Sequence, residues 1–71
     1  MKSKREFRSR AERAFLRENP TATITGWVRE PRKVTFPTGA KGYIGSFHAV
    51  AEGYRPAVMW ASWTDAGLRI A

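Results

Sequence analysis

Few residues of this chain could carry covalent chemistry. His48 is the single histidine, Ser46 stands two residues before it, and Asp65 is the single aspartate. A Ser/His/Asp set needs a base hydrogen-bonded to the nucleophile and oriented by the acid, and the order and spacing here match no nucleophile elbow or triad. One histidine without any cysteine falls short of a tetrahedral metal shell. The sequence is therefore read as that of a non-enzyme with no cofactor and no metal. What its residue types do offer is electrostatic: 13 Lys and Arg stand against 6 Asp and Glu, a formal charge of +7 on 71 residues. Residues 1–19 hold seven of the cations (Lys2, Lys4, Arg5, Arg8, Arg10, Arg13, Arg17) and three acids (Glu6, Glu12, Glu18), so +4 gathers on the first quarter of the chain.

That basic stretch reads as one helix with defined ends. Ser3-Lys4-Arg5-Glu6 fits the capping box, in which a hydroxyl and a carboxylate each satisfy a backbone donor left open at the helix start. Asn19-Pro20 is a stop, with Asn suited to a left-handed cap and Pro unable to continue the helix. At about 100° per residue, Phe7, Ala11, Ala14 and Phe15 share one arc, the natural docking face. Arg10, Arg13 and Arg17 form a stripe beside it, Arg5 and Arg8 take the other flank, and Leu16 lies nearly opposite. Lys4 and Arg5 occupy the positive end of the helix dipole, where cations cost stability. A polyanionic partner offsets that cost, and nucleic acid is the commonest one. The bland alternative is an ordinary amphipathic surface helix supported by a Glu6–Arg10 pair.

The elements that must position these residues follow Pro20, where the period changes from helical to alternating. Strands are expected over Thr21–Arg29, Lys33–Phe36, Gly42–Ala51, Ala57–Trp63 and Leu68–Ile70. Glu30-Pro31-Arg32 reads as a break between the first two, Gly26 as a bulge that turns Trp27 inward, and Gly39-Ala40-Lys41-Gly42 as a hairpin turn. His48–Glu52 also suits a helical turn. The fold class is α+β, with one domain over 1–71. A basic amphipathic helix (1–19) packs on a small, strongly bent antiparallel sheet or barrel (21–71) of four or five strands. Short curved strands of this number close into barrels of SH3-like, Sm-like or OB type, and the Sm-like plan also places a helix before five strands.

Seventy-one residues leave room for one core, and nine aromatics are more than it can easily hold, so one to three should be exposed. Trp27, Tyr43 and Phe47 beside cations would make a base-stacking platform. Lys41-Gly42-Tyr43 with Phe47 resembles the start of the RNP1 pattern of RRM and cold-shock domains, and Thr25-Gly26-Trp27-Val28-Arg29 is similar to the opening strand of cold-shock proteins. That resemblance implies that strand aromatics stack on bases. Gly39-Ala40-Lys41-Gly42 resembles the backbone-clamping loop of KH domains, although its flanks read as strands. Arg8-Ser9-Arg10-Ala11-Glu12-Arg13 is similar to the arginine-rich RNA-binding helix of lambdoid phage antitermination proteins.

The expected function is a small, non-catalytic nucleic-acid-binding protein, RNA slightly favoured over DNA, regulatory or part of a ribonucleoprotein. Arg5, Arg8, Arg10, Arg13, Arg17 and Lys41 would contact phosphates, with Trp27 and Tyr43 stacking. The rival expectation is a phage- or mobile-element-type protein that docks on a large machine such as RNA polymerase or the ribosome. No apolar run approaches a membrane span and no signal-peptide core follows the basic start, so the expected place is the cytoplasm, with no membrane partner. The absence of cysteine fits a reducing compartment.

Overall fold

The computed structural model describes residues 3–71; Met1 and Lys2, counted above in the basic segment, lie outside them. Helix α1 (Lys4–Glu18) starts as its sequence dictates. Ser3 is extended, and its hydroxyl accepts the Glu6 N–H at 3.1 Å. The Glu6 carboxylate turns along the helix to within 3.5 Å of Arg10 Nε. The helix end differs from expectation. Asn19 has φ −132° and ψ 73°, outside the left-handed region, and both its backbone N–H (2.9 Å) and its side-chain amide (3.0 Å) donate to the Phe15 carbonyl. The following proline accounts for this, because it pushes the residue before it toward extended backbone.

Four strands follow, β1 (Ala22–Thr35), β2 (Lys41–Ala51), β3 (Ala57–Thr64) and β4 (Gly67–Ile70), in one antiparallel meander ordered β1-β2-β3-β4. The sheet is open and has four strands among the described residues, so of the expected four- or five-stranded sheet or barrel it is the four-stranded sheet that forms, and the barrel does not. Glu30-Pro31-Arg32 does not break the chain. Between Arg29 and Arg32 the register against β2 slips, and one 14-residue strand runs through. Proline is tolerated there because β1 is an edge strand, with no partner on its outer side to need the missing donor. The other edge is only the four residues of β4, and β1 and β4 do not meet. Arg29, Pro31, Arg32 and Lys33 along β1 also discourage edge-to-edge pairing. The same register puts His48–Ala51 in β2, not in a helical turn.

Alternation along β2 assigns the two faces. Tyr43, Phe47 and Ala49 turn to the helix, together with Ala61 and Trp63 of β3, and bury Phe7, Ala11 and Phe15 against them. The expected docking arc is thus the buried face of α1. The register slip between Ile24 and Gly26 brings Trp27 to the same side, edge-on to Phe7 with ring centres 5.9 Å apart. Ile44, Ser46 and His48 point to the opposite face, which no helix covers.

Residues 36–40 form the β1–β2 connection; of the expected turn, Gly39 and Ala40 lie in it, while Lys41 and Gly42 already pair with Thr35 and Val34 in β2. Gly39 adopts φ 88°, its N–H bonds the Phe36 carbonyl, and Phe36 N–H bonds the Ala40 carbonyl, both at 2.8 Å. Gly42 is needed for another reason, since a Cβ there would run into the Trp63 carbonyl of the neighbouring strand. Gly42→Ala should cost at least about 1–3 kcal/mol, because one of two paired backbones must move. The check is its urea midpoint, and an unchanged midpoint would contradict the β2–β3 register at this row.

Candidate nucleic-acid interface

The residues that could have done covalent chemistry are dispersed. His48 Nδ1 lies 2.8 Å from Thr25 Oγ1, a partner on β1, while Ser46 Oγ is enclosed with no hydrogen-bond partner. Asp65 sits in the β3–β4 turn beyond Thr64, which pairs with Gly42, whereas His48 pairs with Val58. Six residues of strand, roughly 20 Å, separate those two rows. No nucleophile–base contact is formed.

The five helix arginines divide into two kinds. Arg8 is engaged inward: its Nε is 3.3 Å from Glu12, its Nη1 is 3.9 Å from Glu30, and its guanidinium lies over the Trp27 ring at 5.8 Å. Arg10 pairs with Glu6 and lies over Trp63 at 5.3 Å. Both act as straps between α1 and the sheet, combining an exposed ion pair with a cation–π contact. Arg5, Arg13 and Arg17 form no ion pair among the described residues; Arg13 reaches only Ser9 Oγ, at 3.5 Å. Of the expected stripe, Arg10 pairs with Glu6 while Arg13 and Arg17 hold no ion pair among the described residues, and neither does Arg5 on the other flank. Lys41 is exposed at the start of β2, beside the hairpin turn.

The stacking platform is not where the sequence suggests. Tyr43 and Phe47 are buried beneath α1, with Tyr43 nearly parallel to Phe7 at 6.0 Å. Trp27 is half-buried, with its ring edge on Phe7 and its indole N–H donated to Glu12 Oε2 at 2.7 Å. Tyr43 is buried and Trp27 carries the Arg8 guanidinium over its ring, because the helix docks over the strand parity that holds them. The exposed tryptophan is Trp60, 48% accessible, on the uncovered face of β3. Arg29, Arg32 and Arg69 project on that same face by register. The alternation of Val58 and Trp60 against Met59, Ala61 and Trp63 is visible in the sequence. It separates the two tryptophans but does not say which side the helix takes.

Glu12 ties the helix to the sheet by accepting the Trp27 indole N–H, beside an exposed pair with Arg8 of its own helix, so Glu12→Ala should destabilise the domain by about 1–3 kcal/mol. Most of that loss comes from the half-buried indole N–H left without its charged acceptor. Glu12→Gln should recover part of it. Chemical denaturation followed by tryptophan fluorescence reads both.

A second feature lies on the helix side. The C-terminal half of α1 leaves an apolar groove of about 740 Å³ floored by Ala22, Ala49, Met59, Leu68 and Ile70 and edged by Arg17, Tyr54 and Arg55. No helix among the described residues is long and apolar enough to cross a membrane. Compared with protein-family models, with curated proteins and with solved structures, the chain matches none.

Proposed function

We propose that this protein is a small, non-catalytic nucleic-acid-binding protein, with RNA slightly favoured over DNA. The observation that carries the reading is uncompensated charge. Seven of the nine arginines (Arg5, Arg13, Arg17, Arg29, Arg32, Arg55, Arg69) form no ion pair among the described residues, although six acids are present in the chain. A domain gains nothing in stability from guanidinium groups of one sign left in water, whereas phosphates accept them in charge-assisted pairs. RNA is favoured because an open sheet suits irregular, splayed-base targets and the described residues form one helix, not a helix-turn-helix. Fluorescence anisotropy with a labelled RNA hairpin bearing a loop and with duplex DNA, at low salt, tests the reading. Binding to neither would leave the rival account standing.

That rival is a protein that docks on a large assembly such as RNA polymerase or the ribosome. The apolar groove beside Arg17 and Arg55 is what favours it, since interfaces draw on apolar anchors with arginine at the rim. Capture from cells with and without nuclease separates the two: a partner retained after nuclease treatment is protein.

A further inference from the structure

The uncovered face of the sheet sets arginines beside an exposed tryptophan. Two cross-strand rows lie next to each other on it. One runs Arg29–Ser46–Trp60 across β1, β2 and β3, and the next runs Arg32–Ile44–Ser62–Arg69 across all four strands. Neighbouring strands are about 4.8 Å apart, so Arg29 and Trp60 originate about 10 Å from each other, and Arg32 and Arg69 about 14 Å. Trp60 thus stands with arginines at both ends of its neighbourhood and an apolar residue, Ile44, on the diagonal. Its backbone is fixed, because its N–H and carbonyl pair with those of Ala71, both at 2.9 Å. A depression of about 420 Å³ is lined by Arg29, Glu30, Arg32, Ile44, Gly45 and Trp60.

Ser46 supplies a second observation. Its residue is fully buried, and its hydroxyl is enclosed without a hydrogen-bond partner between the positions of Arg29 and Trp60. A buried hydroxyl of this kind costs free energy unless something bonds it. Arg29 and Trp60 flank Ser46 in its cross-strand row. Any ligand group that enters between them meets a donor and acceptor already in place.

We propose that this face is the binding site for an unpaired base of a single-stranded nucleic acid. The base stacks on Trp60, and Arg29, Arg32 and Arg69 hold the phosphates on either side of it. The proposal rests on the nucleic-acid reading above and adds its ligand class. A ring standing on an open sheet has access only to bases whose faces are free, and duplex bases already stack on each other. Stacking tolerates any base, so the site discriminates strandedness more than sequence. It accepts the unpaired bases of RNA and of DNA by the same chemistry.

The test compares wild type with Trp60→Ala and Trp60→Tyr, using a labelled ten-nucleotide oligouridylate, its deoxythymidylate counterpart and a hairpin duplex. For Trp60→Ala, affinity for both single strands should fall about 5- to 100-fold, the loss expected for one stack. Duplex affinity should change less than twofold, and the salt slope should stay the same because stacking releases no counterions. Trp60→Tyr should restore most of the single-strand affinity, which a merely destabilised fold would not. Arg29→Gln combined with Arg69→Gln should lower the salt slope for single strands by about 1.4 at about 0.7 per phosphate. Equal losses on duplex and single strand, or an unchanged single-strand affinity in Trp60→Ala, would overturn the site while leaving nucleic-acid binding in place. Failure of the wild type to bind any of the three probes at low salt would overturn both. A loss on one of the two single strands alone would overturn the claim that the site reads unpaired bases irrespective of sugar.

Discussion

Phe7→Ala is expected to lower the stability of the domain by about 3–5 kcal/mol, a third or more of what a domain of this size possesses. Phe7 is fully enclosed and is the residue at which helix and sheet meet. Its ring is edge-on to Trp27, and it lies nearly parallel to Tyr43 at 6.0 Å and to Trp63 at 6.4 Å. Those three rings come from three different strands, each fixed by its ladder, so the cavity left by truncation cannot collapse. Cost rises with the volume left unfilled. The variant should unfold at a much lower urea concentration, with the change in tryptophan emission tracking the loss because Trp27 and Trp63 flank the site. A midpoint equal to wild type would mean that α1 is undocked in solution.

The second large effect concerns the helix arginines and divides them by role. Changing Arg5, Arg13 and Arg17 together to Gln should leave the fold intact, because Gln is nearly as good a helix former and none of the three holds an ion pair among the described residues. Single-strand affinity should then fall by about 100-fold near 0.1 M salt, and the salt slope by about 2, if each meets one phosphate. The paired variant Arg8→Gln/Arg10→Gln should behave in the opposite way. It removes the contacts with Glu12 and Glu6 and the positions over Trp27 and Trp63, so it should lower the unfolding midpoint more than it lowers affinity. Equal effects of the two variants on binding would contradict the division into straps and phosphate contacts.

Much of this was legible before the fold was known, for reasons visible in particular residues. Ser3 caps α1, Pro20 ends it, and the Phe7–Ala11–Phe15 arc is its buried face, all consequences of local chemistry and a 3.6-residue period. The hairpin at Gly39 and the inward turn of Trp27 after Gly26 follow equally from short-range rules. Pro31 was misleading: a proline in a strand usually marks a break, and its tolerance depends on β1 being an edge, a fact of topology. The burial of the aromatics is hidden from the sequence for a similar reason. Tyr43 and Phe47 alternate as any half-buried strand does, and which parity becomes core is decided by where α1 lies. Once the helix covers them, the exposed tryptophan is Trp60, among cations from β1 and β4 that are distant in sequence. Ser46, polar yet buried, gives no signal in the sequence at all.

The central claim, that uncompensated arginines on this domain meet phosphates, is tested most directly by the salt dependence of binding to a single-stranded oligonucleotide. Affinity measured between 50 and 300 mM monovalent salt should give a log–log slope of about −3 or steeper, the value for four or more phosphate contacts at about 0.7 each. A slope near zero, or no binding at the lowest salt, would contradict it.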